Sequence, residues 1–365
     1  RVDGGEKGTF YQQGDSLGVW TSVAGNHNNF LVTGEGSTTF GNVAGNAITV
    51  SNTAKELTLT YLPQTAGIPA NAMTSFFEAR ARNVVAAVDI DYSVDRSTNT
   101  VTVSHTYRDG QAAATETIAG LHPLHWKNSQ ALTSAYKVRS ARGTIRFSQT
   151  DSFSYQLPSV GVLPALPTFD GSFDQATLEN LVTEFVSKGS AAWNDRTDTY
   201  WAGKNYGKVA ELIAIADAIG MDTEAAQLLS WLKSELADWF TAETNGSLDV
   251  MKYFVYDNEW NTLLGMEESF ASHQQLNDHH FHYGYFVRAA AEICRMDISW
   301  CGADQYGPMI ELLIRDYAGG ADDPMFPYLR NFDPANGFSW ASGPANFVRG
   351  NNNESTSEAA NAYGA

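Results

Sequence analysis

Three imidazoles and one carboxylate fall within five residues at Asp278-His279-His280-Phe281-His282, with Asn277 before them and Tyr283, Tyr285 and Phe286 after. Three kinds of chemistry fit that cluster. Asn277 or Asp278 caps a helix whose first turn is packed by the rings. Alternatively, His279 and His282 share a helical face beside Asp278 as part of a metal site, whose remaining ligands the sequence does not name. Or Asp278 is a catalytic acid tuned by its crowded aromatic and imidazole surroundings. A second cluster, Gly350-Asn351-Asn352-Asn353-Glu354-Ser355-Thr356-Ser357-Glu358-Ala359, places two carboxylates four residues apart. On a helix they share a face. The Asn run is expected to cap that helix and put Glu354 in its first turn, where the helix dipole favours the ionised form a general base requires. The plainer reading is a well-capped helix with an acidic start. If Asp278 also caps a helix, its charged form is favoured too, which suits an acid poorly unless a second carboxylate or burial raises its pKa.

Aromatic residues stand near both clusters. Trp340, in Ser339-Trp340-Ala341-Ser342-Gly343, either presents its face to a sugar ring or is a buried anchor. The same two readings apply to Tyr256-Asp257-Asn258-Glu259-Trp260 and to Asp198-Thr199-Tyr200-Trp201. No Walker A pattern, Rossmann glycine fingerprint or Gly-x-Ser-x-Gly elbow occurs. Paired carboxylates among aromatics point to glycoside hydrolysis.

The elements that must position these groups change character along the chain. The first 150 or so residues alternate as strands do, at Leu57–Leu62, through Val84–Val94, at Val101–Tyr107, at Gly143–Phe147 and at Phe153–Leu157, with turn chemistry at Asp95–Asn99. This predicts an antiparallel β-sandwich over 1–157. Pro158, Pro164 and Pro167 punctuate a linker over 158–172. From 173 to 365 the period is helical, with helices expected at Asp174–Lys188, Tyr206–Ile219, Thr223–Phe240, His279–Met296, Met309–Tyr317 and from Glu354 onward. Val250–Gln275 is expected to be a long aromatic-rich loop of the kind that lines a site.

The net charge of −18 argues against nucleic acid and anionic membranes as partners. No apolar run approaches the roughly 20 residues that span a bilayer. Cys294 and Cys301 fit either one local disulfide or a buried thiol with a loop thiol.

At these residues the sequence resembles glycoside hydrolase family 81, the endo-β-1,3-glucanases. The resemblance is carried by Asn277-Asp278-His279-His280-Phe281-His282-Tyr283-Gly284-Tyr285, and by Ser339–Gly343 followed by Asn353-Glu354-Ser355-Thr356-Ser357-Glu358-Ala359. Weaker echoes lie at Leu121–Trp126, Gly161–Pro164, Asp198-Thr199-Tyr200 with Gly203-Lys204, and Tyr256-Asp257 with Trp260; the residue near Asn352 departs from the family's common pattern. The resemblance implies an α+β multidomain chain, a β-sandwich packed on an (α/α)6 barrel. It also implies endo-cleavage of β-1,3-glucan, of the laminarin or curdlan type, with inversion, by a secreted enzyme. Asp278 falls on the general acid, Glu354 on the general base and Glu358 on a further acidic position that orients water or substrate. No metal or organic cofactor is implied. His282, Trp340, Tyr256, Asp257, Trp260 and Asp198 are the expected sugar contacts. A barrel of that kind needs twelve helices and about six are visible, so the expectation is a fragment whose barrel is incomplete. Two rivals are a polysaccharide lyase, which would want a cation that neither motif contains, and an inactive or truncated glucan-binding relative. Oligomeric state stays open.

Overall fold

Alternating β-branched and aromatic residues build the first half and amphipathic helices the second, so the chain is α+β. The computed structural model describes residues 7–43, 47–131, 133–159, 161, 173–340 and 355–365. It divides into two units, Arg1–Val160 and Gly161–Ala365.

In the first unit, β1 (Lys7–Gln13), β2 (Ser16–Val23), β3 (Asn26–Gly34), β4 (Thr38–Gly41), β5 (Thr49–Asn52) and β6 (Leu57–Leu62) precede helix α1 (Asn71–Glu78). Then come β7 (Ala87–Asp95), β8 (Thr100–Arg108), β9 (Thr117–Leu121), the short helix α2 (Pro123–Lys127), β10 (Lys137–Ser140), β11 (Gly143–Thr150) and β12 (Ser152–Pro158). Among the described residues the strands form antiparallel sheets in the orders β1-β2-β3-β6, β10-β11-β9, β12-β8-β7 and β4-β5. The expected hairpin is β7–β8, in register from Val94↔Val101 to Val88↔Tyr107. Its turn is tied by Asp95 Oδ1, which accepts from Ser97 N at 2.8 Å. Leu31, Leu62 and Phe77 are buried with Ile118 and Phe147, so α1 plugs a core shared by the first sheet and the β9–β11 sheet. Phe153 and Tyr155 are buried with Ala119 and Leu121 in a second cluster.

The second unit carries α3 (Gln175–Ser187), α4 (Ser190–Trp193), α5 (Trp201–Ala218) and α6 (Asp222–Trp239), then the small pair β13 (Glu243–Thr244) and β14 (Ser247–Leu248). The region expected to be one long loop instead holds a hairpin, β15 (Tyr253–Asp257) and β16 (Thr262–Met266), and the short α7 (Ser272–Gln275). Alternation from Tyr253 to Asp257 suits a strand, and Asp257 Oδ1 closes the turn by accepting from the backbone N–H groups of Glu259 and Trp260 at 2.9 and 3.0 Å. There follow α8 (His279–Met296), a 3₁₀ turn at Ile298–Cys301, α9 (Gly307–Ala318), the pair β17 (Phe332–Asp333) and β18 (Phe338–Ser339), and α10 (Thr356–Gly364). Asp174 caps α3 by accepting from Thr177 N at 3.0 Å.

Helix α8 is the centre of this unit. Its first turns are apolar or aromatic on all sides, and it packs against α5, α6, α9 and α10. Close approach needs small residues at the crossings. A Cβ at Gly284 would stand 2.4 Å from Ala362 Cβ on α10, and one at Gly203 3.1 Å from Tyr285 Cβ. Cys294 and Cys301 are disulfide-bonded, pinning the last turn of α8 to the 3₁₀ turn.

Candidate active site

Asp278 occupies the N-cap position of α8, but in a left-handed conformation with φ +59°, and its side chain makes no cap hydrogen bond. The carbonyl of Asp278 instead accepts from Phe281 N at 2.8 Å and His282 N at 2.9 Å. An aspartate tolerates this backbone better than most residues. The consequence is that the carboxylate is not spent on the helix end, contrary to the capping reading; Oδ2 accepts from Asn277 Nδ2 at 3.0 Å.

The residues after Asp278 fix this helix start. His279 is wholly buried, and its Nδ1 lies 2.6 Å from Oδ2 of Asp316, also wholly buried, on α9. Asp316 Oδ1 accepts from Leu263 N at 3.0 Å, Thr262 Oγ1 at 3.1 Å and Arg330 at 3.3 Å. Burial alone would raise the Asp316 pKa, but the contacts with His279, Arg330 and Leu263 N outweigh it and hold the carboxyl below the usual aspartate value. His282 is fully buried under the Tyr200 ring, centroids 5.2 Å apart, with Nδ1 2.8 Å from Thr199 Oγ1. Burial, with His279, His280 and His273 nearby, lowers its pKa to about 3, so it is neutral. His282 is thus a buried ring packed against Tyr200. His279 and His282 turn to different partners, and among the described residues no three His, Cys, Asp or Glu side chains gather as metal ligands would.

The second cluster is organised around Glu358. Helix α10 starts at Thr356, and Ser355 is its N-cap, accepting from Glu358 N at 3.3 Å. The cap is thus Ser355 rather than the Asn run, and the carboxylate in the first turn is Glu358. Glu354, with Ala341, Ser342 and Gly343, lies outside the described residues. Glu358 Oε1 accepts from Tyr285 Oη at 2.7 Å on α8 and Tyr200 Oη at 2.9 Å before α5, with Lys204 Nζ at 3.8 Å. Its burial favours the neutral acid, but the hydroxyls of Ser355, Tyr285 and Tyr200 and the Lys204 ammonium together lower its pKa. Glu358 also lines a hollow of about 330 Å³ with Lys208, Glu211, Tyr285, Arg288 and Asn361.

Helices α8 and α10 run antiparallel at their contact: Tyr285 meets Glu358, Gly284 meets Ala362 and the His280 ring stacks near Tyr363 at 6.0 Å.

The remaining expected contacts divide by exposure. Trp260, at the tip of the β15–β16 hairpin, is 67% exposed. Trp340 is half-buried, its N–H donating to Asn331 O at 2.9 Å. Tyr256 donates its hydroxyl to Met325 O at 2.6 Å, and Asp257 Oδ1 is engaged in its own turn, so both serve the hairpin. Asp198 Oδ1 accepts from Tyr200 N and Trp201 N at 3.0 and 2.8 Å, which ties down the turn leading into α5, whose N-cap is Tyr200. Tyr200, Tyr285 and Lys204 stand in the sequence motifs without an assigned role, and Asp316 stands in none of them. A carboxylate at Asp316, on the buried stripe of α9 between Leu313 and Tyr317, is the legible sign of a buried partner, since an unpaired charge there would be prohibitive.

A family model described as "Glycosyl hydrolase family 81 C-terminal domain" matches residues 173–365. A glucan endo-1,3-beta-D-glucosidase of Thermobifida fusca is 40% identical over 282 residues, 76% of this chain and 36% of that protein. One from Acetivibrio thermocellus is 38% identical over 302 residues, 81% of this chain and 38% of that protein. A solved structure, a glycoside hydrolase family 81 protein from Clostridium thermocellum in a mutant form, matches with TM-score 0.81 at 33% identity, over 99% of this chain and 50% of that one. The chain spans 36–50% of the length of these relatives.

Proposed function

Since the chain belongs to glycosyl hydrolase family 81, we propose that it carries the acid–base machinery of a secreted endo-β-1,3-glucanase that cleaves laminarin- or curdlan-type chains with inversion. In this reading Asp278 donates a proton to the glycosidic oxygen and Glu354 takes one from the attacking water. Inversion needs the two carboxyls roughly 6.5–9.5 Å apart. The helical unit is then part of an (α/α)6 barrel, preceded in the chain by a β-sandwich.

The observation that carries the assignment is the unequal treatment of the carboxylates. Asp278 is withheld from helix capping, as a proton donor should be. Glu358 is held as an anion by two phenols and an ammonium. A carboxylate so stabilised is a weak base. That favours Glu358 as an orienting and electrostatic group, leaving Glu354 the base. Of the expected sugar contacts, Trp260 is the exposed one. The Cys294–Cys301 disulfide supports an extracytoplasmic setting.

Proton NMR of laminarin incubated with this chain, and with Asp278→Asn and Glu354→Gln, tests the proposal. Early α-anomeric reducing ends, lost in both variants, are expected. Early β-anomers, or full activity in either variant, would overturn it.

A further inference from the structure

Two large aromatic side chains stand in water immediately beside Glu358. Trp201, the first residue of α5, is 48% exposed, and Phe270 is 57% exposed. Their ring centroids lie 6.3 Å apart with planes at 47°. Both meet Tyr200 edge-on, at 5.2 and 4.9 Å, and it is the Tyr200 hydroxyl that donates to Glu358. The Lys204 ammonium sits 5.7 Å from the Trp201 ring.

The chain goes to some trouble to present these rings. Phe270 has φ +55° and Ala271 φ +58°. A left-handed non-glycine residue persists only where the surroundings impose it. The surroundings here are a lattice of hydrogen bonds between the two segments. Asp198 Oδ1 accepts from Tyr200 N, Trp201 N and the Ser269 hydroxyl at once. Thr199 N donates to Glu267 O at 3.0 Å, Glu267 N to Thr197 O at 3.3 Å, and the Thr197 hydroxyl to the Glu267 carboxylate at 3.2 Å. The aromatic surface is thus built in advance of a ligand.

We propose that Trp201 and Phe270 form a stacking platform for one pyranose ring of the glucan chain, with Asp198 as the positioning residue that clips the platform together. This rests on the glucanase reading. A pyranose has an apolar C–H face that covers aromatic carbon, and a rim of hydroxyls. The platform offers that pairing: exposed rings, bordered by Lys204 as donor and the Tyr200–Glu358 pair as polar partners. An acyl chain would leave this polar border unsatisfied.

The test is calorimetric titration of laminarihexaose into the chain carrying Glu354→Gln as the uncleaving parent, then with Trp201→Ala, Phe270→Ala or Trp201→Phe added. The expected result is a Kd weakened on the order of tenfold by each alanine and largely restored by Trp201→Phe, with circular dichroism confirming folded protein throughout. Asp198→Asn, which leaves both rings in place, is expected to weaken binding through platform disorder, visible as a changed Trp fluorescence of the free protein. Parent-like affinity in both alanine variants would overturn the platform while leaving the glucanase reading intact. Equal loss in Trp201→Ala and Trp201→Phe would reduce Trp201 to a structural role and overturn stacking. Failure of the parent to bind laminarihexaose would overturn both readings.

Discussion

Replacing Asp316 by Asn probes the frame that holds Asp278. The change keeps the shape of the side chain and removes only its charge. In the native protein that charge is fully buried, faces His279 at 2.6 Å and Arg330 at 3.3 Å, and receives Leu263 N and the Thr262 hydroxyl. Arg330 is itself only 10% exposed at its side chain. Removing one partner of such a pair leaves the others desolvated without compensation, which costs about 3–5 kcal/mol. In a domain of this size each kcal/mol moves Tm by about 2–4 °C, so thermal melting followed by circular dichroism should show a fall of roughly 6–20 °C. The pH dependence supplies a second check. The folded-state pKa of Asp316 is depressed, so its stabilising contribution is complete above the unfolded aspartate value of about 3.9 and is lost as pH falls through the folded value. The gap between native protein and variant should therefore be widest near neutrality and close in acid. A loss under about 1 kcal/mol at neutral pH, or a gap that widens on acidification, would refute the reasoning.

Gly284→Ala places a methyl carbon 2.4 Å from Ala362 Cβ and 2.9 Å from its Cα; overpacking of about 1–3 kcal/mol is expected, with α10 displaced and hydrolysis lost more than stability, read by parallel melting and reducing-end assays. Tyr285→Phe removes the 2.7 Å donor to Glu358. Because that hydrogen bond lowers the Glu358 pKa, the acid limb of the pH–activity profile should move upward, and an unmoved limb would count against a functional Glu358 anion. Cys301→Ser opens the short loop closed by the disulfide; the chain-entropy relation gives about 2–3 kcal/mol, so the variant should melt lower and, unlike the native protein, be indifferent to reductant.

Much of this protein can be read without coordinates. The helix at His279–Met296 lies where the helical period puts it, and the β7–β8 hairpin where alternation flanks a turn sequence. The family followed from two local motifs, Asn277–Tyr285 and Asn353–Ala359, because such motifs are continuous in sequence. The hairpin at Tyr253–Met266 was mistaken for a loop because its few alternating residues look aromatic-rich before they look periodic. What each motif residue touches was beyond reach for a different reason. Asp316 pairs with His279 across 37 residues, and Tyr200 and Tyr285 meet Glu358 across 158 and 73. Nothing local marks such partners; only the packing of α5, α9 and α10 on α8 brings them together. The same holds for Asp278, which any local rule makes a helix cap, and which a left-handed backbone turns to another use. Residue type and spacing thus determined which chemistry was available. The tertiary structure decided which carboxylate is buried and paired, which is held as an anion, and which is kept from the helix end, because burial and electrostatic environment are properties of the packed chain.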